Sequence, residues 1–212
     1  RAHWSWALPI PAGLDPASAG PLLCGGGTAF LPFVLHGIQP TDRVGVVGIG
    51  GLGHLAVKFA KAWGCEVTAF TSSPSKREEA LALGAHRTVS SVDVKELKAH
   101  AGQLDFLLVT VGAALEWDAL LGTLAPKGRM HLVGVVTEAM KLRTGGLLSW
   151  QRSLSASPTP SPATLAKMLN FCARHGIAPQ VEHFPMSKVN DALDHLRSGK
   201  ARYRVVLDAD FA

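Results

Sequence analysis

The stretch that decides the fold runs from Arg43 to Gly53 and reads RVGVVGIGGLG. A run rich in β-forming valine leads into Gly48, Gly50 and Gly53, which stand at G-x-G-x-x-G spacing. In this pattern the first glycine permits a tight turn, the second lets the backbone approach a pyrophosphate, and the third lets helix and strand pack closely. A helix that starts here offers N–H groups and a positive dipole end to phosphates. We therefore predict a strand, a glycine-rich turn and a helix that together bind a dinucleotide.

The residues around and after Gly53 favour that helix. Apolar residues recur at the i, i+3, i+4 spacing of an amphipathic helix, and they are Leu52, Leu55, Ala56, Phe59, Ala60 and Trp63. Lys58 and Lys61 fall on the opposite, polar face. The alternative interpretation is a structural strand, turn and helix without a ligand, because the glycine spacing by itself also occurs by chance.

The nine histidines show no spacing that is typical of a metal site. We expect His54 to lie at the helix surface rather than to take part in catalysis. His131 falls inside a predicted strand, and we expect it to be a hydrogen-bonded core or edge residue.

Strands and helices alternate after the glycine motif. The sequence predicts strands at 66–70, 87–90, 104–111, 130–136 and 153–157, with helices at 76–83, 94–100 and 116–124 between them. Such βα repeats predict an α/β fold with a Rossmann, doubly wound parallel sheet covered by helices on both faces. The proline-rich SPTPSP of residues 157–162 indicates a boundary, and the elements beyond it belong to a second domain. Before the motif, Trp4 to Leu8 predicts a short strand, and Asp15 before Pro16 predicts the start of a helix.

The composition bounds the class of protein. The 212 residues are 47% hydrophobic and 17% charged, as in globular proteins. A net charge of +5 without a basic run gives no reason to expect a nucleic-acid partner, and no apolar run approaches the roughly 18 residues of a membrane span. The three cysteines, Cys24, Cys65 and Cys172, are odd in number and far apart, which favours a reducing compartment and hence the cytoplasm. Because the chain begins with Arg1 rather than Met, we expect it to be cut at its N-terminus.

The end of the second predicted strand indicates which dinucleotide binds. An Asp or Glu about 20 residues past the first glycine normally holds a free ribose 2′-hydroxyl. Here the chain reads AFTSSPSKR over residues 69–77, with no acid before Glu78. Hydroxyls and cations suit a 2′-phosphate, so we predict NADP(H) rather than NAD(H). The alternative is that the serines only form a turn and that Lys76 and Arg77 are solvated.

Five motifs in this order closely resemble the zinc-containing alcohol dehydrogenases of the medium-chain family. They are PLLCGGGT (21–28), RVGVVGIGGLGH (43–54), FTSSPSKR (70–77), LVGVV (132–136) and GKARYRVVLDADF (199–211). The match covers nearly the whole chain and looks most like the cinnamyl-alcohol-dehydrogenase branch, within it the bacterial NADPH-dependent aldehyde reductases of broad specificity. The resemblance implies an NADP-binding Rossmann domain over residues 25–157. Residues 1–24 and 158–212 would then be remnants of a GroES-like catalytic domain.

The resemblance implies an oxidoreductase that transfers hydride between NADPH and an aldehyde or primary alcohol with catalytic zinc. A homodimer is a further expectation from the family. It places Cys24 as a zinc ligand. The family's other two ligands, a cysteine in a G-x-C-H-type motif and a histidine in a G-H-E motif, do not occur here. Since catalytic zinc needs three protein ligands, we expect this chain alone to be inactive. The alternatives are a zinc-free quinone or enone reductase of the same superfamily and a non-catalytic NADP-binding module.

The resemblance also assigns the cofactor contacts. Thr28 would face the nicotinamide side, and Arg204 or Arg202 could reach the pyrophosphate. Pro158, Thr159 and Pro160 depart from the glycine-rich sequence that many relatives have after the last strand. The pyrophosphate contacts would be Gly48, Gly50, Gly51, Leu52 and Gly53; the 2′-phosphate contacts Thr71, Ser72, Ser73 and Lys76; and the nicotinamide neighbours Val111, Gly112, Gly134, Val135, Ser155 and Ser157.

Overall fold

The structure is a computed structural model that describes residues 1–211. Ala212, the last residue of the expected C-terminal segment, lies outside the described residues. The chain divides into two compact units. The first consists of Arg1–Gly27 and the segment that begins at Thr159, and the second is Thr28–Pro158.

A six-stranded parallel sheet forms the centre of the second unit. Its strands are β1 Arg43–Val47, β2 Glu66–Thr71, β3 Arg87–Ser90, β4 Leu104–Val109, β5 Leu124–Leu132 and β6 Ser153–Ala156. They lie in the order β3-β2-β1-β4-β5-β6, so the winding direction reverses between β1 and β4. This is the doubly wound Rossmann sheet that the βα repeats predict. Ligands of such sheets bind outside the carboxyl ends of the strands at the point of reversal.

Nine α-helices accompany the strands in the described part of the chain. They are α1 Pro16–Pro21, α2 Gly27–Leu35, α3 Gly53–Trp63, α4 Lys76–Ala82, α5 Val94–Ala99, α6 Trp117–Gly122, α7 Thr144–Leu148, α8 Pro162–His175 and α9 Val189–Arg197. Asp15 caps α1, as expected, because its carboxylate accepts from the N–H groups of Ala17 and Ser18 at 3.2 and 3.1 Å. Asp93 likewise caps α5 by accepting from the Lys95 N–H at 2.8 Å.

The core of the second unit packs against the middle of the sheet. Since helices cover both faces, the central strands are apolar on both sides, and β1 is buried from Val44 to Val47. A cluster of fully buried side chains joins the sheet to α5 and α6, and it includes Phe70, Leu97, Leu107, Val109, Leu120, Leu121 and Met130. This packing holds the carboxyl ends of β1, β2 and β4 in a fixed arrangement.

The first unit contains a parallel pair of strands, β7 Val181–Pro185 and β8 Arg204–Asp208, with α1, α8 and α9. The prediction of a strand at Trp4 to Leu8 is wrong. Trp4–Trp6 is a 3-10 turn, in which the Trp6 and Ala7 N–H groups donate to the carbonyl oxygens of His3 and Trp4. The ring of His3 accepts from the Ser5 N–H and so caps the turn.

Among the residues described, one helical segment, Pro16–Leu35, is long and apolar enough to span a membrane. The expectation that no apolar run reaches that length is therefore wrong for this segment. The prolines and glycines that interrupt the run in the sequence stay within one continuous helical path, through a π-helical turn at Leu22–Gly26. Most of the segment, 61%, is buried inside the protein, as in core helices of globular proteins.

Candidate functional site

A cleft of about 300 Å³ opens at the carboxyl ends of β1, β2 and β4, where the strand order reverses. Residues from the glycine turn, from the β2–α4 loop and from the segments after β3 and β4 surround it. They are Val47, Gly48, Ile49, Gly50, Thr71, Ser72, Ser73, Lys76, Ser91, Val92, Val111, Ala113, Ala114 and Leu115. The cleft therefore lies where a doubly wound sheet binds its ligand.

The glycine turn has the backbone geometry that its spacing predicts. Gly48 has a φ of +88°, and its N–H donates to the carbonyl oxygen of Phe70 at 2.8 Å. A Cβ on Gly53 would lie 1.8 Å from the Gly48 carbonyl oxygen, so no side chain fits there. At Gly50 a Cβ would meet nothing within 4 Å, which leaves that backbone open to the cleft. Gly51 and Leu52 then lead into α3, and the apolar side chain of Leu52 at the N-cap makes no hydrogen bond to the first turn.

Thr110 holds the glycine turn in place, and the sequence analysis missed it. Its hydroxyl lies 2.9 Å from the Val47 carbonyl oxygen and 3.0 Å from that of Gly48, so it donates to the backbone at the end of β1. The signal in the sequence is a single hydroxyl residue directly after the buried run of β4.

His54 is buried, and the expectation that it lies at the helix surface is wrong. Its side chain is fully covered, and Nδ1 lies 2.9 Å from the Gly50 carbonyl oxygen. Since a carbonyl can only accept, Nδ1 carries the proton and donates to the turn. The helical pattern places His54 among polar residues, but the tight start of α3 brings its ring back over the glycines.

The hydroxyl-rich loop after β2 forms a second wall of the cleft. Thr71 is buried, and its Oγ1 accepts from the Ser73 N–H at 3.2 Å. The hydroxyls of Ser73 and Ser75 lie 2.8 Å apart. Lys76, at the start of α4, donates from Nζ to the Ile49 carbonyl oxygen at 3.0 Å. The structure thus brings the predicted 2′-phosphate residues together at one end of the cleft.

The carboxyl ends of β4 and β5 meet through their backbones. A Cβ on Gly112 would lie 2.3 Å from the Val135 carbonyl oxygen, and a Cβ on Gly134 would lie 2.4 Å from that of Val111. Val111 lines the cleft, and Val135 is 82% exposed. The four residues predicted near the nicotinamide therefore lie side by side at the carboxyl edge of the sheet.

Ser155 and Ser157, which the resemblance also places near the nicotinamide, contact a buried histidine. Their hydroxyls lie 2.8 and 2.9 Å from Nδ1 and Nε2 of His131. Nε2 of His36 lies 3.0 Å from Nδ1 of His131. The prediction that His131 is a hydrogen-bonded core residue is confirmed, since it is fully buried. Burial, followed by the charges of His36 and Arg129, lowers the pKa of His131 to about 4.

The other predicted site residues, Thr28, Cys24 and Arg204, are distant in sequence from the glycine turn. Thr28 is buried near the start of α2. Cys24 is exposed and, within the first unit, lines a groove of about 380 Å³ together with Arg204. Burial raises the pKa of Cys65 to about 11 and that of Cys172 to about 12. Both thiols are therefore protonated at neutral pH.

A zinc ion does not fit the described residues by themselves. Across residues 1–211 no three His, Cys, Asp or Glu side chains come together as a group that could hold a metal ion. A catalytic zinc needs three protein ligands, so Cys24 as a zinc ligand stays a prediction.

Comparisons with known proteins give the family. The aldehyde reductase AdhA of Synechocystis sp. (strain ATCC 27184 / PCC 6803 / Kazusa) is 52% identical over 207 residues, which cover 98% of this chain and 62% of that protein. Two solved structures share the fold. A cinnamyl alcohol dehydrogenase of Sorghum bicolor, SbCAD4, matches with a TM-score of 0.90 at 38% identity, over 95% of this chain and 57% of that one. The CAD of Helicobacter pylori, complexed with NADP(H), matches with a TM-score of 0.84 at 28% identity. That match covers 95% of this chain and 57% of the Helicobacter pylori chain.

The chain thus spans about three fifths of the length of these relatives. The family model described as zinc-binding dehydrogenase matches residues 51–174, which include most of the cleft. By that match, and by its identity to the aldehyde reductase, the chain belongs to the zinc-binding dehydrogenase family.

Proposed function

We propose that the chain binds NADP(H) in this cleft and that the whole protein transfers hydride between NADPH and an aldehyde or primary alcohol. One observation carries the proposal. The cleft joins a glycine turn to a wall of Thr71, Ser72, Ser73 and Lys76, and no carboxylate belongs to its lining in the part of the chain described. A carboxylate at the end of β2 would bind a free 2′-hydroxyl and repel a phosphate. The Helicobacter pylori relative crystallised with NADP(H) supports the same choice.

The residues of the chain bind and orient the cofactor. Gly50 to Gly53 present backbone N–H groups to the pyrophosphate at the start of α3, and Gly48 supplies the tight turn, since its own N–H donates to Phe70. Thr71, Ser72 and Ser73 donate hydrogen bonds to the 2′-phosphate, and Lys76 adds a positive charge. The close backbone approaches of Gly112 to Val135 and of Gly134 to Val111 shape the nicotinamide end. When bound, the reduced nicotinamide supplies the hydride, and the protein supplies position and electrostatics.

The first unit belongs, in this proposal, to a GroES-like catalytic domain. In this proposal Cys24, which lines a groove together with Arg204 in that unit, is a ligand of the catalytic zinc. A non-catalytic NADP-binding module is the second candidate, and one observation favours it, namely that residues 1–211 bring no metal-binding group together.

A homodimer is part of the proposal. Strand β6 is the last in the sheet order, so one edge of its backbone is open to another strand. Leu154 on β6 is 40% exposed, Trp150 just before it is 51% exposed and Leu148 is 78% exposed. A second copy that pairs with β6 would cover both the backbone edge and these apolar side chains. We also propose the cytoplasm as the location, because Cys24, Cys65 and Cys172 are all free thiols.

Thermal denaturation and titration calorimetry with NADPH and NADH test the cofactor. We expect NADPH to raise the melting temperature more than NADH, since only bound ligand stabilises the folded state. Lys76→Gln should remove most of that difference, and Lys58→Gln on α3 serves as the matched control. Equal stabilisation by both cofactors would contradict the 2′-phosphate assignment. No stabilisation by either would contradict the dinucleotide site itself.

A further inference from the structure

Two adjacent cations stand at the start of α4, and the structure gives them different partners. Lys76 lines the cleft. Arg77 pairs with Glu96 of α5, and its Nη2 donates to both carboxylate oxygens at 2.9 Å. The side chains of this pair are 36% and 37% exposed. Since the guanidinium charge is compensated by Glu96, Arg77 adds little positive potential to a ligand in the cleft.

Glu96 also holds the loop after β3. Its carboxylate accepts from the Ser90 N–H at 2.7 Å. The Ser90 hydroxyl in turn accepts from the N–H groups of Val92 and Asp93 at 3.3 and 3.0 Å. The Ser90 N–H, and after it the Arg77 guanidinium, keep the pKa of Glu96 below its usual range, so the carboxylate is ionised at neutral pH.

The three residues Arg77, Glu96 and Ser90 therefore connect two neighbouring segments of the cleft, which follow the paired strands β2 and β3. Arg77 directly follows Lys76 in the segment made by the β2–α4 loop. Ser90 directly precedes Ser91 and Val92, which line the cleft in the other segment. The link consists of charge-assisted hydrogen bonds to a shared carboxylate, which are among the stronger hydrogen bonds in proteins.

We propose that Arg77 and Glu96 are positioning residues that fix these two segments beyond the paired ends of β2 and β3, beside Lys76, the cation that the proposed function places on the 2′-phosphate. This inference rests on the proposed function, because it requires a dinucleotide in the cleft. A positioning pair acts on the adenosine half, which NADPH and NADH share. A cation that binds the 2′-phosphate acts on NADPH alone.

The experiment measures the dissociation constants of NADPH and NADH by calorimetry for the unsubstituted chain and for Arg77→Gln, Glu96→Gln, the double variant and Lys76→Gln. We expect Arg77→Gln to weaken both cofactors by the same factor, roughly tenfold, so that their ratio stays constant. The double variant should lose no more affinity than either single variant, because Arg77→Gln and Glu96→Gln remove the same link. Arg77→Lys should restore part of the affinity for both cofactors. Lys76→Gln should weaken NADPH by roughly tenfold more than it weakens NADH, so that the ratio of the two affinities changes.

The outcomes separate this inference from the proposed function. If Arg77→Gln weakens NADPH but not NADH, or if Glu96→Gln strengthens NADPH alone, then Arg77 contacts the phosphate and the positioning role is wrong. Unchanged affinities in both single variants would overturn it as well. Failure of the unsubstituted chain to bind either cofactor would overturn the proposed function, and this inference with it. Circular dichroism checks that each variant folds. If Arg77→Gln does not fold, the ratio of NADPH to NADH affinity is measured in Arg77→Lys, which keeps the charge.

Discussion

Gly53 packs against Gly48 so closely that a Cβ on Gly53 would lie 1.8 Å from the Gly48 carbonyl oxygen. This contact lets the start of α3 pack against the turn that follows β1. We expect Gly53→Ala to lower the free energy of unfolding by about 2 kcal/mol or more, because the turn must open to admit the methyl group. Urea denaturation measures the loss.

Gly50→Ala is the matched control, since its Cβ would meet nothing within 4 Å. We expect its stability to change by less than about 1 kcal/mol, while NADPH and NADH both bind roughly tenfold more weakly, because the methyl group blocks close approach to the pyrophosphate. Unchanged binding by Gly50→Ala would contradict the pyrophosphate assignment. Unchanged stability of Gly53→Ala would contradict the packing argument.

Thr110→Val keeps the shape of the side chain and removes the hydroxyl that donates to Val47 and Gly48. We expect a loss of about 1 kcal/mol in unfolding free energy and weaker binding of both cofactors. Thr144→Val at the exposed start of α7 should leave both quantities unchanged. A Thr110→Val protein with full cofactor affinity would show that the hydroxyl does not hold the turn.

The buried His131 and its half-buried partner His36 make stability depend on pH. The pKa of His131 is about 4 in the folded protein, against an ordinary value of 6.5, and burial together with the charge of Arg129 also lowers the pKa of His36. Between these pH values the unfolded chain binds more protons, so folding stability rises with pH and is lost as pH falls from 6.5 towards 4. For His131 alone the full loss is about 3 kcal/mol, from a pKa difference of about 2.5 at about 1.4 kcal/mol per unit.

Urea denaturation at several pH values tests this dependence. We expect His131→Gln to reduce the slope of stability against pH below 6.5. His175→Gln, on the exposed last turn of α8, should keep the full slope. Identical slopes for the unsubstituted chain and His131→Gln would contradict the assignment.

The open edge of β6 predicts the oligomeric state. If a second copy pairs there, Leu154→Lys should convert a dimer into a monomer, because a charge on an edge strand opposes pairing. Light scattering coupled to gel filtration measures the mass. Leu81→Lys, an equally exposed leucine on α4, should leave the dimer intact. A mass that stays monomeric for the unsubstituted chain would contradict the homodimer.

The chain of 212 residues should bind NADPH without reducing aldehydes, because its described residues do not complete a zinc site. NADPH absorbance in the presence of an aldehyde and added zinc measures turnover. Cys24→Ser should leave NADPH binding unchanged. Turnover that disappears in Cys24→Ser would contradict the expectation and show that zinc binds here.

Local sequence predicted most of the sheet correctly for a physical reason. The valine-rich run before Gly48 and the buried strand at Leu104–Val109 have the continuous apolar composition that is typical of parallel strands covered on both faces. The glycine spacing similarly requires a close approach of backbones, which Gly53 and Gly48 make. Asp15 and Asp93 act as helix caps through hydrogen bonds that span three residues or fewer.

What the sequence by itself determined is thus the order of strands and helices, the glycine turn and the lack of an acid at the end of β2, since each depends on neighbours along the chain. Only the tertiary structure decided which of two adjacent cations faces the cleft, because Glu96 lies 19 residues from its partner Arg77. The same holds for His54, whose ring is buried against Gly50, and for Ser155 and Ser157, whose hydroxyls contact His131 on the neighbouring strand. Side-chain partners that come from distant elements are set by packing, and no local pattern encodes them.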